Sequence, residues 1–302
     1  MTNRSPASTA APLSIRVVAP AKINLVLRIL ERRPDGYHNL WSLMQTVRVE
    51  DEITIARTEA HSLVALRCDD PSLKTDGSNL VHRAAVAVME QSGRMGGLDI
   101  TLAKRIPMGA GLGGGSSDAA ATILGLNQLL NLGWSAERMA DIGQTLGSDV
   151  PFFFFAPSAT VAGRGERVVP VRIKQTRWVV LVNPGFPVET KWAYQQLSAG
   201  RAGVVPLSPS HAKMEHASEL GWEQVLKAAE NDFEGPVFKA YPILGEIKQR
   251  LLAQGAEAAL LSGSGATVFG VFCDETKARQ AQAMFLNEPQ VKVFVAQTSC
   301  SP

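Results

Sequence analysis

The stretch from Lys104 to Asn127, KRIPMGAGLGGGSSDAAATILGLN, constrains this chain more than any other, because it sets five glycines and two serines directly before an Ala/Leu-rich segment. Glycine has no Cβ, so its backbone takes positive φ and comes close to a ligand. Gly109, Gly111, Gly113, Gly114 and Gly115 can therefore turn several N–H groups into one concavity. From about Ser117, the residues Ala119, Ala120, Ile123, Leu124, Leu126 and Leu130 read as a helix, amphipathic to largely buried. Its first unpaired N–H groups and positive dipole end face the same concavity. Ser116 or Ser117 is expected to cap it. A flexible linker would carry neither Leu112 among its glycines nor a strong helix behind them. The pattern is that of a phosphate cradle.

The cradle is not a Walker A loop, since no lysine follows the last glycines. GAGLGG satisfies GxGxxG, but a strand ending in an acidic residue does not follow at the distance a dinucleotide site needs. Another part of the chain must supply the cation for the phosphates. With 302 residues, 45% hydrophobic and 19% charged, the chain is long enough for two medium domains. A net charge of +2 with scattered Lys and Arg gives no footprint for a nucleic-acid backbone and favours a small-molecule partner. Cys68, Cys273 and Cys300 are widely spaced and outside any zinc pattern, and the five histidines lack HExxH spacing. No apolar run approaches the ~20 residues of a membrane span, and MTNRSPASTAAP lacks a signal peptide's apolar core. The expected location is the cytoplasm, with a disordered tail over residues 1–12.

Alternation predicts strands over Leu13 to Ala19 and Ala21 to Leu30, the second placing Lys22 and Asn24 on one face. Strands follow over Trp41 to Val49 and Asp51 to Ile55, a helix over Asn79 to Ser92 and a strand over Leu98 to Ile106. After the glycine loop come a helix over Ala136 to Leu146 ending at Gly147, a buried strand over Pro151 to Phe155, a hairpin around Gly163 to Gly165, and a strand over Trp178 to Asn183. Ser198 to Ala217 reads as a Ser/Pro/Gly-rich excursion between a helix over Thr190 to Leu197 and one over Trp222 to Ala229. A helix over Pro242 to Gln254, a strand pair around Ser262 to Gly265, a helix over Lys277 to Asn287 and a strand over Val291 to Ala296 complete the reading. Hairpins mixed with helices, without regular βαβ alternation, indicate an α+β class in two lobes, residues 13–172 with the glycine loop and 173–302.

Three constellations carry possible chemistry. Asp149, in LGSDVP at the lip of four phenylalanines, can accept a proton, anchor a cation or serve as an ordinary turn residue. Lys22 is either a surface lysine or the point charge the cradle lacks. Ser262-Gly263-Ser264-Gly265 is a hairpin turn or a ligand loop.

In order along the chain, PAKINL from Pro20, DGYH from Asp35, PMGAGLGGGSSDAA from Pro107, GSDVPF from Gly147 and LSGSGATVFG from Leu261 resemble the motifs of the GHMP kinase superfamily. Together, PAKINL, DGYH and GSDVPFF are similar to its branch acting on a cytidylylated methylerythritol. The resemblance runs from about Val18 to Gly270. It implies an N-terminal lobe similar to ribosomal protein S5 domain 2 and a ferredoxin-like C-terminal lobe. It further implies ATP-dependent phosphorylation of the acceptor's tertiary 2-hydroxyl, with Mg²⁺ bridging the β and γ phosphates.

By motif position, Asp149 would be the base and Lys22 its partner. Pro107, Met108, Gly109, Ala110, Gly111, Leu112, Gly113, Gly114, Gly115, Ser116 and Ser117 would wrap the triphosphate. Asn24, Tyr37, His38, Thr190 and Tyr194 would bind the acceptor, Tyr37 stacking on the base and His38 bonding its edge, while Gly263, Ser264 and Gly265 would close the site. Ser117 is a candidate magnesium ligand, and no acidic one is evident. The implied partners are ATP and the cytidylyl acceptor, with no nucleic acid and no membrane, in a monomer or weak homodimer. A superfamily kinase for mevalonate-type alcohols, homoserine or sugars, or a non-catalytic nucleotide-binding protein, are the alternatives.

Overall fold

Two long antiparallel strands, β1 (Ser14–Arg32) and β2 (His38–Thr58), organise the first half of the chain. The computed structural model describes residues 13–59, 64–201, 203 and 205–300; the expected disordered tail lies outside them. Each long strand covers what alternation divides into two. The break expected at Pro20 is absorbed by a register shift, Pro20 pairing with Glu50 and Ala21 with Val47, so proline falls at a bulge and the ladder continues. There follow β3 (Val64–Cys68), α1 (Leu80–Ser92), β4 (Gly97–Ala103), α2 (Gly114–Leu129) and α3 (Ala136–Leu146). Asn79 caps α1 through the N–H of Val81, and Gly93 in the left-handed region ends it. β4 stops three residues before the expected Ile106, because the N–H groups of Arg105 and Ile106 donate to the buried Asp51 carboxylate rather than to a strand.

The phenylalanine run is not a strand. Pro151–Phe154 forms a 3₁₀ turn whose Pro sits at the first position, with Phe152 and Phe153 buried. A short apolar run is buried equally well in either conformation, and Pro151 favours the helical one here. β5 (Ser158–Gly163) and β6 (Arg167–Pro170) then make the expected hairpin. Among the described residues the sheet runs β3-β4-β2-β1, with β5 and β6 continuing from the other half of β2. Helices α1, α2 and α3 cover one face, where Ala84, Val88, Ile123 and Leu126 pack on Ile53, Ile55 and Ile100.

The second half contains β7 (Arg172–Ile173), β8 (Trp178–Asn183), α4 (Thr190–Ala199), α5 (Pro209–Glu215), β9 (Glu219–Leu220), α6 (Trp222–Ala228), β10 (Glu230–Asn231), α7 (Glu234–Ala240), α8 (Pro242–Ala253), β11 (Ala258–Leu261), β12 (Val268–Phe272), α9 (Glu275–Ala283) and β13 (Lys292–Gln297). The expected excursion thus holds a helix, α5, capped by Ser208 through the N–H of His211. The antiparallel sheet order β11-β12-β8-β13, with α8 leading into β11 and α9 joining β12 to β13, is the split arrangement of a ferredoxin-like unit. Two connections bind the halves. β10 adds parallel to β1, pairing Val26 with Glu230 and Leu27 with Asn231. A shared core sets Ile23 and Leu25 of β1 against Val179, Leu181 and Phe269 of the second sheet. The middle of β1, the start of α2 and the turn between β11 and β12 meet at this seam.

Candidate active site

The glycine loop is held from below before it turns. Asp51, fully buried on β2, accepts from the Arg105 N–H at 2.5 Å, from the Ile106 N–H at 2.9 Å and from the Lys104 ammonium. Ala110 and Leu112 then point inward as apolar anchors. The carbonyl of Ala110 accepts from the Thr267 N–H and that of Leu112 from the Lys22 N–H. Between them, Gly111 (φ +77°) lies so close to the β11–β12 turn that a Cβ would stand 2.0 Å from the Ser262 carbonyl oxygen. Gly113 (φ +68°) is the residue from which α2 starts, and no side chain caps it. The helix therefore begins at Gly114, and Ser116 and Ser117 lie within its first turn rather than capping it. A left-handed glycine supplies the turn that the serine cap was expected to provide. The consequence favours anion binding: the unpaired N–H groups of the first turn belong to Gly114, Gly115 and Ser116, the smallest residues available.

Residues 107–116 line a cavity of about 560 Å³ that also receives Lys104 and Asp118. Lys104 brings a cation to the start of α2; a Cβ on Gly114 would lie 3.4 Å from its Nζ. Its ammonium donates to Asp118 Oδ2 at 2.7 Å as well as to Asp51. The two carboxylates outweigh burial and raise the lysine pKa, whereas burial raises the Asp118 carboxyl to about 7 against the opposing pull of Lys104. One ammonium thus serves two buried carboxylates, and Asp118 carries the penalty. The Ser117 hydroxyl and Asp118 Oδ1 are both buried without a hydrogen-bond partner.

Lys22 is 3% exposed, which removes the surface-lysine reading. Its Nζ donates to Asn24 Oδ1 at 2.7 Å and to the Gly111 carbonyl at 3.0 Å, and stands 3.5 Å from Asp149 Oδ2. Asn24 in turn donates to Ser42 Oγ, which donates to the Val26 carbonyl, so the amide is engaged at both ends. Asp149 lies between the end of α3 and the 3₁₀ turn, with its carboxylate about one-third exposed beside the lysine. The β5–β6 turn supports its loop: a Cβ on Gly165 would lie 2.2 Å from the Ser148 carbonyl oxygen.

Asp149 also lines a second cavity, of about 680 Å³, with Tyr37, His38, Thr190 and Tyr194. The His38 and Tyr194 rings stack at 5.1 Å and 26°, and Tyr194 meets Phe233 edge-on. Burial, then the Asp149 charge, raises the Tyr194 phenol. Burial, then Arg32 and Arg201, lowers the His38 imidazole, which is therefore neutral at pH 7 and offers one donor and one acceptor nitrogen. Tyr37 is 55% exposed, with the Arg164 guanidinium 3.7 Å above its ring. Asn24, Gly263, Ser264 and Gly265 stand outside this lining. Asn24 orients Lys22, and the turn braces the glycine loop through Ser262 Oγ to the Gly111 carbonyl at 2.9 Å. Thr190 joins wall and turn through Ser264 Oγ at 3.0 Å.

Sequence reasoning missed Lys104 and Asp118 in the first cavity, the buried Asp51 that holds Lys104, and Arg164 in the second cavity. Lys104 opens the glycine stretch and Asp118 follows its serines, but nothing local pairs them. Arg164 reads only as the middle of a Gly-x-Gly turn.

The description "GHMP kinases N terminal domain" matches residues 79–156, and "GHMP kinases C terminal" matches residues 213–290. A 4-diphosphocytidyl-2-C-methyl-D-erythritol kinase of Geobacter sp. (strain M21) is 43% identical over 269 residues, 89% of this chain and 93% of the relative. One of Pelobacter propionicus is 39% identical over 94% of this chain and 99% of the relative. A crystal structure of 4-(cytidine 5'-diphospho)-2C-methyl-D-erythritol kinase superposes with a TM-score of 0.76 at 32% identity, covering 95% of this chain and 100% of that one. Homoserine kinase from Cytophaga hutchinsonii, at 19% identity and a TM-score of 0.71, shares the fold.

Proposed function

The chain belongs to the 4-diphosphocytidyl-2-C-methyl-D-erythritol kinase family of GHMP kinases, and on that premise we propose that it transfers the γ-phosphoryl group of ATP to the 2-hydroxyl of 4-diphosphocytidyl-2-C-methyl-D-erythritol, in the non-mevalonate route to isoprenoid precursors. The observation that carries the reading is the Lys22–Asp149 pair. Asp149 lines the aromatic cavity, and Lys22 donates to the glycine loop that lines the other.

In the proposed reaction the acceptor oxygen bonds to the γ-phosphorus as the bond from that phosphorus to the β,γ-bridging oxygen breaks, leaving ADP. The hydroxyl proton passes to Asp149 Oδ2. Lys22, 3.5 Å from that carboxylate, stabilises negative charge on the attacking oxygen. A tertiary hydroxyl is crowded, and phosphoryl transfer depends chiefly on positioning and charge, which both residues supply from rigid supports. Lys104 and the N–H groups at the start of α2 take the phosphate charge.

The buried, unpartnered Ser117 Oγ and Asp118 Oδ1 are oxygen donors suited to Mg²⁺, a hard cation that keeps phosphate and water among its ligands. Among the described residues no group of three or more His, Cys, Asp or Glu forms a metal cage. When bound, such an ion would supply neutralisation of phosphate charge.

The Tyr37, His38 and Tyr194 rings suit a nucleobase, which mevalonate, homoserine and simple sugars lack. The proposal includes lobes at residues 13–172 and 173–302, a monomer or weak homodimer, and a cytoplasmic location, with which the free Cys68, Cys273 and Cys300 accord. The test is ATP consumption with Mg²⁺ and the cytidylyl compound beside mevalonate, homoserine and galactose. Turnover on the cytidylyl compound alone supports the reading; turnover on another acceptor alone refutes it.

A further inference from the structure

The two residues of β10 look incidental in sequence, yet they place Asn231 against the turn that braces the glycine loop. Asn231 is 6% exposed, and both protons of its side-chain amide are taken by backbone carbonyls. Nδ2 donates to the Leu261 carbonyl at 2.7 Å and to the Gly263 carbonyl at 2.8 Å, while Oδ1 accepts from the Phe233 N–H at 2.9 Å. Two carbonyls face the NH₂ and one N–H faces the oxygen, so the amide has one allowed orientation. Its neighbours fasten it to β1: Asn231 pairs with Leu27, the Asp232 N–H donates to the Leu27 carbonyl, and Asp232 Oδ2 accepts from the Ile29 N–H. Glu234 adds an acceptor for the Leu261 N–H.

These contacts close a ring. β1 carries Lys22; Lys22 Nζ donates to the Gly111 carbonyl; that carbonyl also accepts from Ser262 Oγ; the turn of Ser262 and Gly263 is gripped by Asn231; and Asn231 is paired to β1. The fit has little slack, since a Cβ on Gly263 would lie 3.2 Å from the Gly111 carbonyl oxygen and 3.5 Å from Lys22 Nζ. We propose that Asn231 is a positioning residue for phosphoryl transfer, setting through the Gly263 turn the place of the Gly111 carbonyl and of the Lys22 ammonium relative to Asp149. It touches neither substrate. The proposal rests on the assignment of Lys22 and Asp149 as the reacting pair.

Asn231→Asp keeps the size and the acceptor for Phe233 but sets a carboxylate against two carbonyls; Asn231→Ala removes both donors. Each is compared with wild type on whichever acceptor the wild type turns over, so a wrong acceptor assignment shows in the wild type and not in the variants. The expected result is a kcat lower by roughly 10- to 100-fold, the loss that a small misplacement of reacting groups produces. KM for ATP and for the acceptor stays within about threefold, the split that marks loss in the transition state. Ser262→Ala should lower kcat in the same way, and the Asn231→Ala/Ser262→Ala pair should lose less than the two single losses combined. Folded variants with wild-type kcat and a lowered melting temperature only would overturn the proposal, as would strictly additive losses. Should neither Asn231 variant fold, unchanged kcat in Ser262→Ala would overturn it.

Discussion

The Lys22 ammonium stands 3.5 Å from Asp149 Oδ2 while donating to Asn24 and to the Gly111 carbonyl, so two of its protons are committed and its charge is held beside the carboxylate. A cation so constrained acts as a fixed charge. Nothing about it needs to reorganise when charge develops on an acceptor oxygen, which is the condition under which electrostatic stabilisation is most effective.

Replacing Asp149 with Asn removes the proposed proton acceptor and the partner of Lys22 while keeping shape. We expect kcat to fall by about 10²- to 10⁴-fold, the usual contribution of a positioned base, with ATP affinity nearly unchanged because Asp149 lies in the other cavity. Steady-state turnover with nucleotide titration checks this; wild-type turnover would end the assignment as base.

Tyr37 offers a ring half open to solvent, backed by Arg164. Tyr37→Ala should raise KM for the cytidylyl acceptor by roughly 5- to 150-fold, corresponding to about 1–3 kcal/mol of base stacking, with KM for ATP unmoved. An unchanged acceptor KM removes the stacking role.

Two glycines of one loop should respond oppositely. In Gly111→Ala the new Cβ meets the Ser262 backbone in a left-handed conformation, at a cost of roughly 2–5 kcal/mol. In Gly115→Ala it meets only Leu80 Cδ1 at 3.6 Å in a helical residue, and stability should rise by about 0.5–1 kcal/mol. Urea unfolding of both variants reads the difference; similar losses in both would contradict it.

The buried Asp118 makes a prediction about pH. Its carboxyl is raised from 3.8 to about 7, so across that window the folded chain holds a proton that the unfolded chain has released. Its contribution to stability therefore declines as pH rises through the window and is flat above it. The lowered His38 pKa acts in the opposite sense, gaining stability as pH rises through its own titration, so the two are separated by difference. Asp118→Asn should gain several degrees of melting temperature on wild type between pH 5 and pH 8. A difference independent of pH would contradict the buried carboxyl's titration.

Much of this was legible because the signals were local. Ala136–Leu146 and Trp178–Asn183 fall where Gly147 and Pro184-Gly185 punctuate the chain, and strand alternation alone put Lys22 and Asn24 on one face. Burial of that face was not legible, since it depends on packing against a glycine loop some ninety positions away. The Lys104, Asp51 and Asp118 cluster is built the same way, from a strand end, a neighbouring strand and a helix start. Proximity across sequence distance leaves no periodic trace. β10 is too short for any pattern, and the phenylalanine run is apolar in every conformation, so only its proline distinguished a 3₁₀ turn from a strand. His38 and Tyr194 were brought together by motif resemblance, and the stacking of their rings is what the fold adds.

The central claim, that the aromatic cavity selects a cytidylyl-bearing alcohol for phosphorylation by the Lys22–Asp149 pair, is tested most directly by comparing kcat/KM for 4-diphosphocytidyl-2-C-methyl-D-erythritol with that for 2-C-methyl-D-erythritol 4-phosphate, which presents the same tertiary hydroxyl without the nucleotide. The account predicts efficient turnover of the first and a loss of roughly 10²-fold or more for the second, from lost stacking and positioning. Equal kcat/KM for the two would contradict it.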